Sequence, residues 1–306
     1  MGNQRYDQLI TDLRGDYRPQ REWGVGSGIL MVIGHFLVGI AGGTWVLATI
    51  YDASAGLVVA FVLGGIGALA HLAYLGWPRR ALGMMRHWRT SWVSRGFTGF
   101  ALFLVGGTVS LGIELFLAPG ASGALAALAM VAKAVAMVGA IIIIGYMGFC
   151  YTASKAIPFW HSPLHPALYI AYAFRGGIAV LLVIAAIVAA DAGPWLLQFW
   201  VGVTAIVALF FALEIQGALA SGDVAARWSV RDILAGRLAL LFYGGTLVVG
   251  LVVPLVTLAA GTVNSPAAMA VIGLASAAGD FFMKLATVRA GVYRPLVLPQ
   301  QRRQRA

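Results

Sequence analysis

Cysteine and charged residues are both scarce in this chain of 306 residues. Cys150 is the sole cysteine, so the chain can form no internal disulfide and cannot hold an iron–sulfur cluster, which takes four ligands. Charged residues make up 10% of the sequence, whereas a soluble domain carries about a quarter. These shortages exclude a disulfide-stapled domain, a Cys/His zinc site and an ordinary soluble fold.

What the chain has instead is long apolar runs. It is 60% hydrophobic with a mean hydropathy of +0.87, and several runs exceed the roughly 18–20 residues that cross a bilayer as a helix. Lipid offers no partner to backbone amides, so such runs must be helical. The alternation of a membrane β-barrel is not visible. The sequence therefore predicts an all-α integral membrane protein with about eight transmembrane helices.

The apolar pattern divides the chain into two tails and a membrane domain. We predict an N-terminal tail over 1–26, an eight-helix domain over 27–287 and a basic C-terminal tail over 288–306. A weak echo between Trp92-Val93-Ser94-Arg95 and Trp228-Ser229-Val230-Arg231 favours two four-helix bundles. The predicted helices span 27–50, 54–76, 97–118, 121–150, 166–190, 194–221, 236–260 and 265–287.

The basic residues are strongly one-sided. Of the 21 Lys and Arg residues, 18 fall on the face that holds both tails and the long loops. The opposite turns, near Asp52, Pro119, Asp191 and Asn264, have none. By the positive-inside rule both termini are expected in the cytoplasm. Membrane orientation explains the net charge, so no nucleic-acid partner is expected.

Ionisable residues within the predicted helices are the first candidates for function, because they are costly in lipid. At ~1.5 Å rise per residue, His35 lies roughly 12 Å and His71 roughly 8 Å below the basic face. Glu214 and Tyr146 lie near the same end, and Arg175 is deeper. Residues distant in sequence thus share one depth.

Such a cluster suits a quinone, whose carbonyls need hydrogen-bond donors and whose reduction takes up two protons. Interhelical hydrogen bonding explains each residue equally well alone, so the grouping carries the hypothesis. The bilayer is the expected source of the ligand, as menaquinone or ubiquinone. The candidate quinone contacts are His35, His71, Tyr146 and Tyr151, with Trp160 and His161 at the mouth of the site.

A proton route would need further polar groups. Glu214 is the leading candidate for a proton donor or acceptor. Asp280 and Lys284 are spaced i,i+4, which predicts charge neutralisation between them. Arg175 and Glu114 are further candidates, and Glu114 has no partner nearby in sequence.

Three alternatives remain at this stage. His35 and His71 could ligate one haem b if both faced one cavity, although this is disfavoured; His87, His161 and His165 are predicted in loops, which disfavours two haems. Eight helices with buried charges also suit a secondary transporter, but no matched pair of broken helices is visible. A passive anchor is the third alternative.

Three segments resemble a known family. They are Ala156-Ile157-Pro158-Phe159-Trp160-His161-Ser162-Pro163-Leu164-His165-Pro166, Leu75-Gly76-Trp77-Pro78-Arg79-Arg80 with Thr90-Ser91-Trp92-Val93-Ser94-Arg95, and Val288-Arg289-Ala290-Gly291-Val292-Tyr293. Together with the helix count they resemble the NrfD/PsrC/DmsC group of membrane subunits. His161 stands where that group usually has Asn, His165 where it has Leu, and Gly96 where an acidic residue is common.

The resemblance implies a haem-free subunit of a bacterial or archaeal cytoplasmic membrane. Such a subunit exchanges electrons between quinone and an iron–sulfur partner, which in turn serves a molybdopterin catalytic subunit. Because the motif-bearing loops are expected in the cytoplasm, a cytoplasmic substrate is expected for the complex. The chain is similar to the membrane subunit of phenylacetyl-CoA:acceptor oxidoreductase, which acts on a CoA thioester. The main alternative is an outward-facing reductase of sulfur compounds, dimethyl sulfoxide or similar acceptors.

Overall fold

The computed structural model describes residues 17–77, 79, 81–117, 120, 122–189, 193–261 and 265–295. The outer parts of both predicted tails, 1–16 and 296–306, lie outside the described residues. So do Arg80 and the turn residues Pro119, Asp191 and Asn264.

Long helices dominate the described chain. Eight of them are long and apolar enough to cross a membrane, which confirms the predicted all-α membrane fold. Two shorter helices, α3 (Ala81–Met84) and α8 (Val224–Ala235), lie in the loops that were predicted to connect the spans. The helices are α1 Ile29–Ile50, α2 Ser54–Leu75, α3 Ala81–Met84, α4 Trp92–Gly112, α5 Ala124–Thr152, α6 His165–Ile187, α7 Gly193–Ala220, α8 Val224–Ala235, α9 Leu241–Ala259 and α10 Pro266–Arg289.

The helix ends follow local sequence signals. The Ser91 hydroxyl accepts a hydrogen bond from the Ser94 amide and caps α4, and Ser265 caps α10 in the same way before Pro266. Gly76 adopts a left-handed conformation (φ +70°) that ends α2. These caps set the lengths of the spans and hence the depth of each polar side chain.

The spans pack as two sets of four, α1–α2–α4–α5 and α6–α7–α9–α10, joined by α1 and α6. The crossing of α1 and α6 depends on glycine: a Cβ on Gly43 would lie 1.9 Å from the Ala173 carbonyl oxygen. A Cβ on Gly177 would likewise lie 2.6 Å from the carbonyl carbon of Gly43 in the α1 backbone. Small residues therefore bring these two helices into close backbone contact at the centre of the protein.

The basic end of the bundle is covered by a cap. Strand β1, Arg18–Pro19, pairs antiparallel with strand β2, Val292–Tyr293. The buried Gln20 side chain donates to the Val288 carbonyl oxygen at 2.8 Å. The described part of the N-terminal tail is therefore packed on the end of α10 and forms part of the fold.

Two spans contain π-helical segments. Helix α4 continues into a π-helical turn, Ile113–Leu117, and α9 is π-helical over Leu241–Val252. The two Trp-containing segments that resemble each other in sequence do not occupy equivalent places in the fold, because Trp92 begins α4 whereas Trp228 lies within α8. The wider turns of α9 do, however, shape one wall of a cavity described below.

Candidate functional site

His35, His71 and Tyr146 form one cluster between α1, α2 and α5, in which His35 and Tyr146 are buried and His71 is partly exposed. The two imidazole rings are 4.8 Å apart between centroids, and the Tyr146 hydroxyl is 3.2 Å from His71 Nε2. His71 Nδ1 is 2.8 Å from the Gly67 carbonyl oxygen. A carbonyl can only accept, so Nδ1 carries the proton and the neutral ring accepts from Tyr146 at Nε2. The sequence-predicted grouping of these three residues is thus present.

His35 differs from His71 because part of it has no protein partner. Its side chain is buried, and its Nδ1 atom lacks a hydrogen-bond partner in the described structure. A buried polar atom without a partner is costly, and such atoms often mark a site that a ligand or water completes. His35 is therefore the member of the cluster most free to bind something.

Two glycines make room for the cluster. A Cβ on Gly34 of α1 would lie 2.4 Å from His71 Nδ1, and a Cβ on Gly96 of α4 would lie 2.2 Å from the Tyr146 ring. Both distances are far inside van der Waals contact, so neither position accepts a side chain without moving its neighbour. These glycines fix the rings of His71 and Tyr146, a role that the sequence alone did not reveal.

We expect Gly34→Ala to destabilise the protein by about 1–3 kcal/mol, because the added methyl group displaces His71 and breaks its hydrogen bonds. Gly65→Ala on α2 is the matched control, since a Cβ there has no neighbour within 4 Å. Thermal unfolding in detergent measures both. Equal midpoints for Gly34→Ala and the control would show that His71 is not held as described.

A cavity of about 320 Å³ on the side of the helix bundle includes Tyr146 in its lining. Apolar residues of α4, α5 and α6 line most of it, and Arg95 and Thr98 add polar groups. The exposed Trp88 and the partly exposed Trp92 lie at its outer, basic end. Tyr146 is thus the member of the cluster that lines this cavity, whereas His35 and His71 lie behind it.

Tyr151 and Trp160 lie deeper than the sequence predicted. Trp160 is 2% exposed, its indole donates to the Thr287 carbonyl oxygen at 3.0 Å, and it stacks on Trp23 of the cap. The Tyr151 ring lies between Trp160 and His35, at centroid distances of 5.0 and 6.4 Å. Trp160 is therefore an interior contact of Tyr151 and does not stand at the mouth of a site.

Helix α6 contributes a polar face that was largely missed. His165, predicted in a loop, is the first residue of α6 and is fully buried. Tyr169 and Tyr172 follow it at helical spacing, and the rings of His165 and Tyr169 stack at 5.7 Å. The i, i+4, i+7 spacing of these three residues was the signal that could have revealed this face.

The partner of His165 is Glu214 of α7. His165 Nδ1 and Glu214 Oε1 are 2.6 Å apart, and both side chains are buried. The contact is close enough for an ion pair, but it is not aligned as a hydrogen bond, and His165 Nε2 and Glu214 Oε2 also lack partners. Two titratable groups thus meet with unused hydrogen-bonding capacity.

Glu214 also lines a cavity of about 630 Å³ at the basic end, which we call the mouth cavity. Its wall includes His161, Asp223 and Arg294. The exposed His161 ring contacts the Thr152 carbonyl oxygen and lies on this cavity, away from His35. The predicted quinone contacts therefore divide between two places: His161 faces the mouth cavity, and the others form the interior cluster.

Arg175 and Asp280 form an ion pair in the second bundle, and Asp280 thus pairs with Arg175 rather than with Lys284 as predicted. Arg175 Nε donates to the Thr204 hydroxyl at 2.9 Å, and its terminal nitrogens also donate to backbone carbonyls of α9 and α10. The guanidinium is almost fully used by protein groups. This pair locks α6, α7, α9 and α10 together.

Lys284 instead points toward aromatic rings. Its Nζ atom lies 5.1 Å from the Tyr169 ring centre, 5.8 Å from Tyr172 and 5.7 Å from Phe36. A Cβ on Gly39 would lie 3.3 Å from this Nζ atom. The ammonium group is therefore held between α10, α6 and α1 by cation–π contacts.

Glu114 lies apart from these groups, at the other end of α4. It forms an ion pair with Lys133 at 3.0 Å and accepts a hydrogen bond from Ser110. Both charged side chains are partly exposed. The charged partner of Glu114, which could not be found nearby in sequence, is thus Lys133 on the neighbouring span α5.

The contacts of His71 argue against the alternative in which His35 and His71 ligate one haem. Both nitrogens of His71 have protein partners, and its ring lies directly against His35. In this arrangement His71 does not present a nitrogen to an iron atom. Within the described ranges, no group of three His, Cys, Asp or Glu side chains is placed to hold a metal ion.

Comparison with known proteins gives one family. A family model described as polysulphide reductase, NrfD, matches residues 19–295, which include every membrane span. No curated protein matches the chain.

Proposed function

The chain belongs to the NrfD family of membrane subunits of quinone-interacting oxidoreductase complexes, and we propose that it joins the membrane quinone pool to an iron–sulfur partner subunit. The partner receives or supplies electrons for a molybdopterin catalytic subunit. Menaquinone or ubiquinone is the lipid-soluble carrier. The observation that carries this proposal is the cluster of His35, His71 and Tyr146, beside a cavity that Tyr146 lines.

The cluster supports a quinone head group chemically. A quinone bound there would take up two electrons and two protons. His35 has an unpartnered ring nitrogen that can meet one oxygen of the head group, and the Tyr146 hydroxyl, whose single hydrogen goes to His71, offers its oxygen to a quinol hydroxyl. His71 Nε2 accepts a hydrogen bond from the Tyr146 hydroxyl and so holds it in place. We assign His35 and Tyr146 to the head-group contacts and His71 and Tyr151 to positioning and proton exchange.

The mouth cavity and the His165–Glu214 contact support a proton route. Glu214 lines the mouth cavity, and His165 contacts Glu214. The centroid of the His165 ring lies 5.9 Å from that of the Tyr151 ring. Tyr151 in turn lies against His35. We propose that protons pass between the basic face and the cluster along this line, with Glu214 as the outer group. A role of Arg175, Asp280 or Lys284 would concern only the inner end of the route, and Glu114 lies too far away to join it.

The capped, basic end of the bundle is the proposed docking face for the iron–sulfur partner. It carries exposed arginines and tryptophans, among them Arg86, Arg89, Trp77 and Trp88. The cluster lies near this end, which keeps the electron path short. By the positive-inside rule we place this face and both termini in the cytoplasm. The complex would then act on a cytoplasmic substrate, of which a CoA thioester is the proposed class.

Gentle purification of the protein with its associated subunits tests the proposal. We expect an iron–sulfur subunit and a molybdopterin subunit to co-purify, and added quinone or quinol to change the redox state of the clusters. A reporter that is active only outside the cytoplasm, fused to the C-terminus, should be inactive. Substrate flux in vesicles without any redox partner, or cluster chemistry indifferent to quinone, would contradict the proposal.

A further inference from the structure

A second membrane-side cavity, of about 380 Å³, lies in the other bundle between α6, α7, α9 and α10. Helices α7 and α9 pack on α6 and α10 rather than extensively on each other, which leaves a gap between them. Ala208 and Ala212 of α7 line the cavity and are exposed. The cavity thus opens sideways toward lipid, and its volume is in the usual range for small-molecule sites.

The inner end of this cavity is polar. Tyr172 and Asp280 line it, each is 3% exposed, and the Tyr172 hydroxyl and Asp280 Oδ2 have no hydrogen-bond partner in the described structure. Arg175 neutralises Asp280 through the other carboxylate oxygen. A hydroxyl and a carboxylate oxygen with unused hydrogen-bonding capacity therefore belong to residues in the wall of a mostly apolar chamber, whose other polar residues are Arg175, Thr204 and Thr246, and this wall is where a ligand's polar atoms would bind.

The shape of α9 creates this chamber. The π-helical stretch brings the Gly250 backbone against Gly279 of α10, where a Cβ on Gly279 would lie 2.1 Å from the Gly250 Cα. The Gly250 carbonyl accepts from Arg175, so this wall is anchored to the ion pair. Long π-helical stretches are rare and frequently occur at functional sites.

The depth of the cavity in the membrane indicates which class of ligand it can bind. Arg175 is ten residues beyond His165, the first residue of α6, which places it roughly 15 Å below the basic end, near the middle of a hydrocarbon core about 30 Å thick. A phospholipid head group does not reach this depth. A quinone or quinol is soluble in hydrocarbon, carries a carbonyl that accepts from a tyrosine and, when reduced, a hydroxyl that donates to a carboxylate.

We propose that this cavity is a second quinone-binding site, in which Tyr172 and Asp280 bind the head group and the α7–α9 gap admits the isoprenoid tail. The inference extends the proposed function, since it assigns the same ligand to a separate place. The site lies in the second bundle, whereas the cavity at Tyr146 lies against the first. Quinone held here is a local reserve within the protein.

Photolabelling with an azido-quinone in lipid nanodiscs, followed by mass spectrometry, tests the proposal on the purified protein with its associated subunits. We expect label in α7 and α9 around Phe211 and Leu247, competed by unlabelled quinone and not by phospholipid. Ala212→Trp should fill the gap and remove most of this label. Ala205→Trp, at an exposed α7 position that does not line the cavity, should retain it. Tyr172→Phe should weaken quinone competition about fivefold through one lost hydrogen bond.

The outcomes separate the two proposals. Label near Tyr146 with none in α7 and α9 overturns the second site and leaves the proposed function standing. Label in α7 and α9 that phospholipid competes away also overturns it, as a lipid site. Label at neither cavity, together with clusters that do not respond to quinone, contradicts the proposed function as well.

Discussion

His35→Ala is expected to reduce quinone-linked turnover by about 100-fold or more while the complex still assembles. The size follows from the loss of a positioned proton donor or acceptor, which is typically worth about 10²–10⁴ in rate. His35 Nδ1 has no hydrogen-bond partner in the described structure, so the substitution breaks no hydrogen bond at that atom. Stopped-flow reoxidation of the partner's reduced clusters by quinone gives the rate directly.

The matched control for this substitution is His87→Ala. His87 is exposed on the same face and lies outside the cluster; because it adjoins Arg86 and Trp88 of the proposed docking face, the rates are compared only in samples that contain all subunits. We expect it to leave the rate of cluster reoxidation unchanged. Equal rates for wild type and His35→Ala, in samples that contain all subunits, would remove His35 from the site.

Glu214→Gln is expected to slow proton-coupled turnover by about 100-fold, with quinone binding unchanged. The amide keeps the size of the side chain but cannot exchange a proton, so the line between the mouth cavity and His165 is interrupted. The defect should be greatest at alkaline pH, where protons are scarce, and the solvent isotope effect should increase. His165→Phe should have the same signature.

Chemical rescue separates a proton role from a structural one. The mouth cavity of about 630 Å³ admits small weak acids, so formate should restore much of the turnover of Glu214→Gln. Asp223→Asn is the control, because Asp223 lines the same cavity and an asparagine can keep its capping bond to the Ala226 amide. Normal turnover in Glu214→Gln, or a defect that weak acids do not relieve and pH does not change, would show that Glu214 carries no protons.

Much of the fold follows from the sequence because a single physical requirement governs it. Backbone amides in lipid must be satisfied within a helix, so apolar runs such as 27–50 and 54–76 translate almost directly into α1 and α2. The short helix α8 was missed because its composition is not apolar, and it rests on the cap rather than in lipid. The packed N-terminal segment was missed because its anchors are single contacts, such as that between Gln20 and Val288.

Of the site, the sequence predicted only that its residues lie at a similar depth in the membrane. Helix geometry alone places His35, His71 and Tyr146 at one level, but rotation about each helix axis decides whether they meet. That rotation depends on Gly34 and Gly96, whose effect is visible only once neighbouring helices are in place. The spacing of Asp280 and Lys284 misled for the same reason, because Arg175 on another helix is the better-placed partner.

A structure of the complex with quinone bound is the most direct test of the central claim. We predict a head group at the Tyr146 end of the cavity between α4, α5 and α6, with one oxygen within hydrogen-bonding distance of Tyr146 or His35. A head group bound elsewhere, with His35, His71 and Tyr146 closed on one another and the cavity filled by lipid, would contradict the assignment.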